Sequence, residues 1–516
     1  MATDPQVLVV GAGPTGLTTA LLLARCGVDA LLVERHPATS IFVKSRGIDF
    51  RSMEIFRALG ITPAIERAAV PFRDNTNVLV VESLAGVEHS RTSLTPAVRP
   101  DAGFRSLSPS GYLLCGQDRL EPVLAETARA AGARLRFHTE LVDFRQDATG
   151  VHATVLDRET GAQSPVHARY LVAADGARSG IRHRLGVPTT ITGEPDRQLL
   201  VYFRADLTEL TRDRLFLFCF VRNTTTTGIL APINNTDLWQ LSVRLGAGEG
   251  IEDFPPRRCR DLVRGAVGRT GIDVEIQHVM ATDPHTWVAT QFRQQHVFLA
   301  GDAAHNVSSG LNSGIQDAHN LAWKLAEALS GTAGPDLLDS YHDERHGAAW
   351  HKAGNAAPPP NPLATDGEPA EDHDPERADM ALAIGHRYVS TAVIAEPEPG
   401  EPGLDLTGRP GTRAPHAWLR RQGQRMSTLD LCDYRFVLLT GAVAWMHAAD
   451  TVATRTRMPL TAHHIDADPA WAAAYGVTNQ GAVLIRPDGY IAWRARETVD
   501  DPAGALDSAL TTVLSR

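Results

Sequence analysis

Residues 7–34 read VLVVGAGPTGLTTALLLARCGVDALLVE. The aliphatic run at residues 6–10 predicts a short buried strand, residues 11–16 a tight turn, residues 17–25 a helix by their apolar spacing, and residues 30–33 a second buried strand. Strand, turn, helix and strand in that order make a parallel βαβ unit. Gly11, Gly13 and Gly16 form G-x-G-x-x-G where the strand meets the helix. Missing side chains there let a pyrophosphate approach backbone N–H groups at the positive end of the helix. Glu34 closes the second strand, where a carboxylate can accept both hydroxyls of an adenosine ribose. A packing turn would explain the glycines alone, but not an acid in register one strand later. The pattern predicts a dinucleotide with an unphosphorylated ribose, NAD or FAD.

Two later segments extend it. Residues 171–182, LVAADGARSGIR, bring a strand to Asp175-Gly176, and residues 297–326, VFLAGDAAHNVSSGLNSGIQDAHNLAWKLA, bring a strand to Gly301-Asp302 and then a helix from about residue 313 or 315 to 328. An Asp at a strand end can bind a ribityl hydroxyl, and a helix amino terminus can stabilise charge at the N1–C2=O edge of a reduced flavin. The simpler readings are a tight turn at Asp175 and a helix cap at Asp302.

Around this frame the chain predicts helices near residues 52–59 and 119–131. From 199 to 288, aromatic and β-branched runs alternate with Asn, Thr and Gly turns, which predicts an inserted antiparallel sheet. Residues 356–377 and 396–402 concentrate Pro and acid and read as linkers. Beyond residue 411 a small α/β unit is expected, with strands at 436–440, 460–465, 482–485 and 490–494. The expected fold class is α/β: a Rossmann-like FAD-binding domain (1–187 and 291–400), a sheet domain (188–290) and a thioredoxin-like unit (401–516).

Composition removes several alternatives. Fifty Lys and Arg against sixty Asp and Glu give a net charge of −10, which repels a phosphate backbone, so no nucleic-acid partner is expected. Apolar stretches are too short to span a bilayer, and the amino terminus MATDPQ does not read as a secretory leader, so a cytoplasmic location is expected. The five cysteines form no C-x-x-C pair and the histidines no recurring ligand spacing, so no metal is expected. Neither the G-x-S-x-G elbow of acyl-transfer hydrolases nor the G-W-x-W-x-I-P run of flavin halogenases occurs.

The ordered motifs, G-x-G-x-x-G with Glu34-Arg35, Asp175-Gly176 and Gly301-Asp302, resemble the class A FAD-dependent monooxygenases, the aromatic hydroxylases related to para-hydroxybenzoate hydroxylase, over residues 5–350. Residues 411–500 resemble the thioredoxin-like carboxy-terminal domain of the subgroup acting on phenols and aromatic polyketides. Without C-x-x-C, that unit is expected to be structural or to form a homodimer. The resemblance implies that Gly11, Gly13, Thr15 and Gly16 hold the FAD pyrophosphate, Glu34 the ribose and Arg35 the adenine side. It implies Arg46 near the cofactor, Gln117 at the phosphate–ribityl region, Leu141 as backbone to adenine, Asp302 on the ribityl chain, and Leu311 and Asn312 as backbone donors to the flavin pyrimidine. Asp175 joins them as a strand-end aspartate. Tyr341, Glu344 and Arg345 fit a Y-x-x-E-R helix signature read as packing. The activity implied is NAD(P)H-dependent reduction of FAD, addition of dioxygen at flavin C4a as a hydroperoxide, and hydroxylation of a phenolic or polyketide ring.

In the inserted sheet, Phe216, Phe218, Trp239 and Trp287 are candidates to face an aromatic substrate, with core packing as the alternative, and Arg222 and Asn234 to bind a phenolate or carbonyl. The segment after Gly301-Asp302 departs from the family pattern H-x-x-P-P-x-G-G-x-G-x-N: His305 and Asn312 lie about four residues closer, without the prolines. A tolerated deletion and altered oxygen chemistry both remain open. Baeyer–Villiger insertion and a flavin-binding protein without oxygen activation are therefore the competing functions.

Overall fold

The nucleotide-type sheet is parallel over five of its six strands because these are joined through crossovers. The computed structural model describes residues 4–94, 104–192, 197–282, 285–307, 309–355, 383–396, 405–421, 423–456, 458–465 and 469–516, so the expected linker at 356–377 and most of that at 396–402 lie outside the described residues. Val7–Val10 pairs in parallel with Ala30–Val33 on one side and Tyr170–Ala173 on the other. Arg134–Arg136 and Val297–Leu299 extend the sheet outward, and Arg293–Gln294 adds an antiparallel edge. Both faces of the central strands are covered, which is why their side chains are uniformly apolar and buried rather than alternating. The helices Pro14–Arg25, Gln117–Ala130 and Gly310–Ser330 pack on this sheet. The last begins at Gly310, ahead of the expected 313–315, because its first turn faces a cleft and carries no apolar periodicity.

The second sheet has seven strands and is not confined to residues 188–290. Its order is Glu275–Thr282, Gln198–Arg204, Leu238–Arg244, Thr227–Pro232, Phe218–Arg222, Asn77–Val81 and Glu88–Ser93. The last two come from the first segment of the chain, and Asn77–Val81 joins Phe218–Arg222 in parallel. The sheet thus ties itself to the nucleotide domain through its own strands. A smaller sheet of Thr189–Thr192, Thr286–Ala289 and His305–Asn306 bridges the two domains.

In the carboxy-terminal unit Phe436–Thr440 pairs in parallel with Leu460–His464 and antiparallel with Ala482–Ile485, which in turn pairs with Ile491–Ala495. Phe436 and Leu438 pack with the helices Val443–Thr456 and Pro502–Val513, whereas Val437 and Leu439 pack on the opposite face with Trp471 and Tyr475. That strand alternation buries both faces of one thin sheet. No helix among the described residues is long and apolar enough to cross a membrane.

Candidate active site and cofactor cleft

A cleft of about 1650 Å³ runs from the glycine turn to the face of the seven-stranded sheet. At its head, Gly11 has φ +106°, and a Cβ there would stand 2.3 Å from the Ala174 carbonyl oxygen. A Cβ on Gly16 would stand 1.9 Å from the Gly11 carbonyl oxygen, so the turn and helix meet backbone to backbone. Gly13 differs: a Cβ there meets nothing within 4 Å and would project into open space. Gly13 is also the N-cap of Pro14–Arg25 and supplies no side-chain acceptor, so N–H groups of the first helical turn need an external partner. These features fit a bound pyrophosphate.

The other expected cofactor residues gather around the same cleft. Glu34 accepts from the N–H of Ala12 at 2.8 Å and of His36 at 2.9 Å, so it braces the turn at whose mouth it sits. Arg35 lies beside it, exposed. Thr15 packs against Gly301 and Gly314, where any side chain would collide with its hydroxyl. Gln117 donates to Glu121 at 2.7 Å, and Glu121 accepts from the Ser40 N–H at 2.7 Å, which pins the 40–45 loop along one wall. Burial pushes the Glu121 carboxyl up to about 7. Leu141 lines the far wall. Asp175 accepts from the Ile181 N–H through Oδ2, while its Oδ1 is buried without a partner, and burial raises its pKa. An orphaned carboxylate oxygen in the lining of a polar cleft fits a ligand hydroxyl.

Asp302 and Leu311 line the cleft, but Asn312 is not among its lining residues: its side chain accepts from the Asp49 N–H and donates to the Gly47 carbonyl, both buried. Asp317 was not anticipated. It lies mid-helix, fully buried, and accepts from the Gly301 N–H at 2.9 Å, His305 Nε2 at 2.7 Å and Arg345 Nε at 2.6 Å. Burial alone would raise its pKa, but His305 and Arg345 hold the carboxyl well below the ordinary range. The short segment after Asp302 therefore starts from an anchored His305 and packs as His305–Asn306 against Thr286–Ala289. Tyr341 donates to the Leu299 carbonyl, and Glu344 and Arg345 are buried in charge clusters rather than in apolar packing alone.

The sheet end of the cleft corrects several expectations. Trp287 lines it, with the Arg182 guanidinium 4.4 Å from its ring centroid, and Phe218 lines it too. Trp239 and Phe216 do not; they face the opposite side of the sheet and pack in its core, with Trp239 Nε1 donating to the Ala205 carbonyl. Arg222 is exposed at a strand end, and Asn234 caps its own turn by accepting from the N–H groups of residues 236, 237 and 238. Neither is among the residues lining the cleft. The floor is made instead by residues alternating with the core: Leu200, Ser242 and Ile229 in one cross-strand row, and Gln240 and Ala231 in the next, with Met280 at the edge. Period-two reading of Leu238–Arg244 could have found Gln240 once Trp239 was assigned inward.

Arg46 stands where the two domains meet. It is buried, donates through Nη2 to Gln240 Oε1 at 2.9 Å, and its guanidinium is 5.8 Å from the Phe218 ring centroid. Burial lowers its pKa to about 10, opposed in part by Tyr202 and Asp118.

Comparison with known proteins agrees with this geometry. The FAD binding domain family matches residues 4–356, and the aromatic-ring hydroxylase carboxy-terminal family matches residues 407–516. A putative polyketide hydroxylase of Streptomyces halstedii is 40% identical over 99% of this chain and 97% of its own. The tetracenomycin A2 monooxygenase-dioxygenase of Streptomyces glaucescens is 39% identical over 99% of this chain and 97% of its own. The crystal structure of aklavinone-11 hydroxylase in ternary complex with FAD and aklavinone superposes with a TM-score of 0.88 at 33% identity, covering 100% of both chains. With both domains matched and full-length relatives well above 30% identity, the chain belongs to the FAD-dependent aromatic-ring hydroxylases.

Proposed function

We propose that this monooxygenase hydroxylates a fused-ring aromatic of polyketide type, with NAD(P)H as reductant and dioxygen as oxidant. The observation that carries the reading is that a single cleft is lined both by the glycine turn and by one face of the seven-stranded sheet. Bound FAD supplies hydride acceptance and oxygen activation. The chain supplies grip, orientation and a dry surface. The turn at Gly13 and the helix behind it would take the pyrophosphate, Glu34 the ribose, and Asp175 and Asp302 hydroxyls of the ribityl chain. Phe218, Leu200, Ile229, Met280 and Trp287 would sandwich a flat ring system, which suits offset stacking and excludes water from the reacting face. Relatives named for polyketide and tetracenomycin substrates support this class.

The test is turnover of a hydroxyanthraquinone or naphthol with NADH and NADPH under ¹⁸O₂. The expected product carries one labelled ring hydroxyl, and reductant oxidation depends on the added phenol. A labelled ester or lactone would establish ring-carbon insertion instead. A purified protein that is colourless and cannot be reconstituted with FAD would refute the reading as a whole.

A further inference from the structure

We propose that Gln240 is a substrate-recognising residue whose amide is held by Arg46 so that it presents only N–H donors to the cleft, selecting aromatic substrates that carry a ring oxygen. This rests on the flavoenzyme reading above and adds the residue that reads the substrate.

The argument begins with donor arithmetic. A guanidinium has five donors and no acceptor, so the group it meets at 2.9 Å on Gln240 is the amide oxygen. With Oε1 committed to Arg46, the Nε2 hydrogens are what Gln240 offers along the cleft it lines. Its cross-strand neighbours are Ala231 on one side and Tyr202 on the other, and Phe218 lines the cleft with it. A flat ring lying on that surface satisfies the amide only if it brings an acceptor oxygen. An all-carbon ring leaves donors desolvated, which is the costly case.

Arg46 strengthens the selection. It is buried and has no carboxylate within ion-pair distance among the described residues. Tyr202 is the cross-strand neighbour of Gln240, and its buried hydroxyl has no hydrogen-bond partner. An incompletely neutralised guanidinium behind the amide polarises it toward an oxygen carrying negative charge, so a phenolate or quinone carbonyl is favoured over a neutral ether. Arg and an amide are the residue types expected from the sequence at Arg222 and Asn234; the fold supplies them from two different domains instead.

The experiment uses FAD-loaded protein without reductant, titrated with 1-naphthol and with naphthalene and read by perturbation of the flavin spectrum. Wild type is expected to prefer 1-naphthol by about 10- to 100-fold, the range for a hydrogen bond to a charge-assisted donor. Gln240→Leu should keep its FAD and lose that preference, binding both ligands alike. Arg46→Met, which frees the amide to turn, should also lose it, and Arg46→Lys, which keeps a donor on Oε1, should recover most of it. A loaded Gln240→Leu protein that still prefers 1-naphthol overturns the assignment. So does a Gln240→Leu protein that releases FAD while wild type holds it, because the residue would then be a cofactor contact. Wild-type protein that never binds FAD overturns the flavoenzyme reading, a separate failure.

Discussion

The glycine turn at the head of the cleft and the seam where the carboxy-terminal unit meets the helix Gly310–Ser330 are built from opposite materials. The turn closes backbone on backbone, with Ala174, Gly11 and Gly16 so near that no side chain fits between them. The seam closes charge on charge. Glu344 accepts from Arg486 at 2.6 and 2.8 Å, Lys324 at 2.8 Å and Asn320 at 2.6 Å, all buried, and from the half-buried Ser390 at 2.6 Å. Glu54 likewise accepts from Arg413 at 2.6 Å, Arg51 at 3.0 Å and Ser108 at 2.7 Å. The difference teaches how each region fails. A backbone closure tolerates no added atom, whereas a buried charge cluster tolerates no lost partner.

The largest effect is therefore expected in the seam. Glu344→Ala leaves Lys324 and Arg486 buried together, with Asp488 still paired to Arg486 but no ion-pair partner left for Lys324 among the described residues. The expected loss is about 3–5 kcal/mol of unfolding free energy, read by chemical denaturation of the full chain. Lys324→Met should cost far less, because Glu344 keeps both contacts from Arg486 and an apolar side chain removes a buried amine whose pKa burial already lowers to about 8. A Glu344→Ala chain within about 1 kcal/mol of wild type would show that water enters the seam and that it is not a dry charge closure.

The turn separates two glycines that look alike in sequence. Gly16→Ala drives a methyl into the Gly11 carbonyl and is expected to cost about 1–3 kcal/mol, with FAD lost as the turn shifts. Gly13→Ala meets no protein atom, so its stability should stay within about 0.5 kcal/mol of wild type while FAD binds more weakly. Thermal unfolding without FAD and flavin fluorescence on titration separate the two effects. Equal stability losses in both variants would mean that the turn is held by packing at every glycine and that Gly13 does not face a ligand.

The same contrast explains what could be read from the chain. The turn was legible because its demands are local: three glycines, a strand before and an acid after all fall within residues 7–34. The places of Asp175 and Asp302 at the cleft were legible because each closely follows a strand of the same sheet. The seam was not, because Arg413 meets Glu54 across 359 positions and Arg486 meets Glu344 across 142, and no local spacing marks either pair. The signature Tyr341, Glu344, Arg345 read as packing hides charges whose partners lie in another unit. At the cleft floor, parity was the missing fact. Leu238–Arg244 sets Trp239, Leu241 and Val243 on the core face and Gln240 and Ser242 on the cleft face, so an aromatic residue alone does not mark the side that meets the cleft. The sheet boundary at 188 missed two strands for a related reason, since Asn77–Val81 pairs with a partner more than a hundred residues away.

The seam also makes a smaller prediction, one that rests on a buried histidine. His319 is buried at the seam with its ring edge-on to Tyr434, 5.5 Å between centroids, and faces Arg51, Arg345 and Arg486 as well as Asp488. Burial first, then the arginines, lower its pKa from 6.5 to about 3. The unfolded chain therefore takes up a proton near pH 6.5 that the folded chain refuses until about pH 3. Stability conferred by keeping this ring neutral is present above 6.5 and falls away as the pH drops from there toward 3. From pH 7 to 5.5 the loss contributed by His319 is about 1 kcal/mol. The seam carboxylates Glu54, Glu344 and Asp488 are held below their ordinary values and stay ionised throughout that window, whereas Glu121, pushed by burial to about 7, takes up a proton in the folded chain and acts in the opposite sense, so the His319 share is read as the difference between wild type and His319→Asn. His319→Asn should flatten the decline without abolishing it, since His386, lowered by burial to about 4, still contributes. A variant whose stability falls between pH 7 and 5.5 as steeply as wild type would mean that His319 gains its proton in the folded chain, and that the seam admits a charge it is built to refuse.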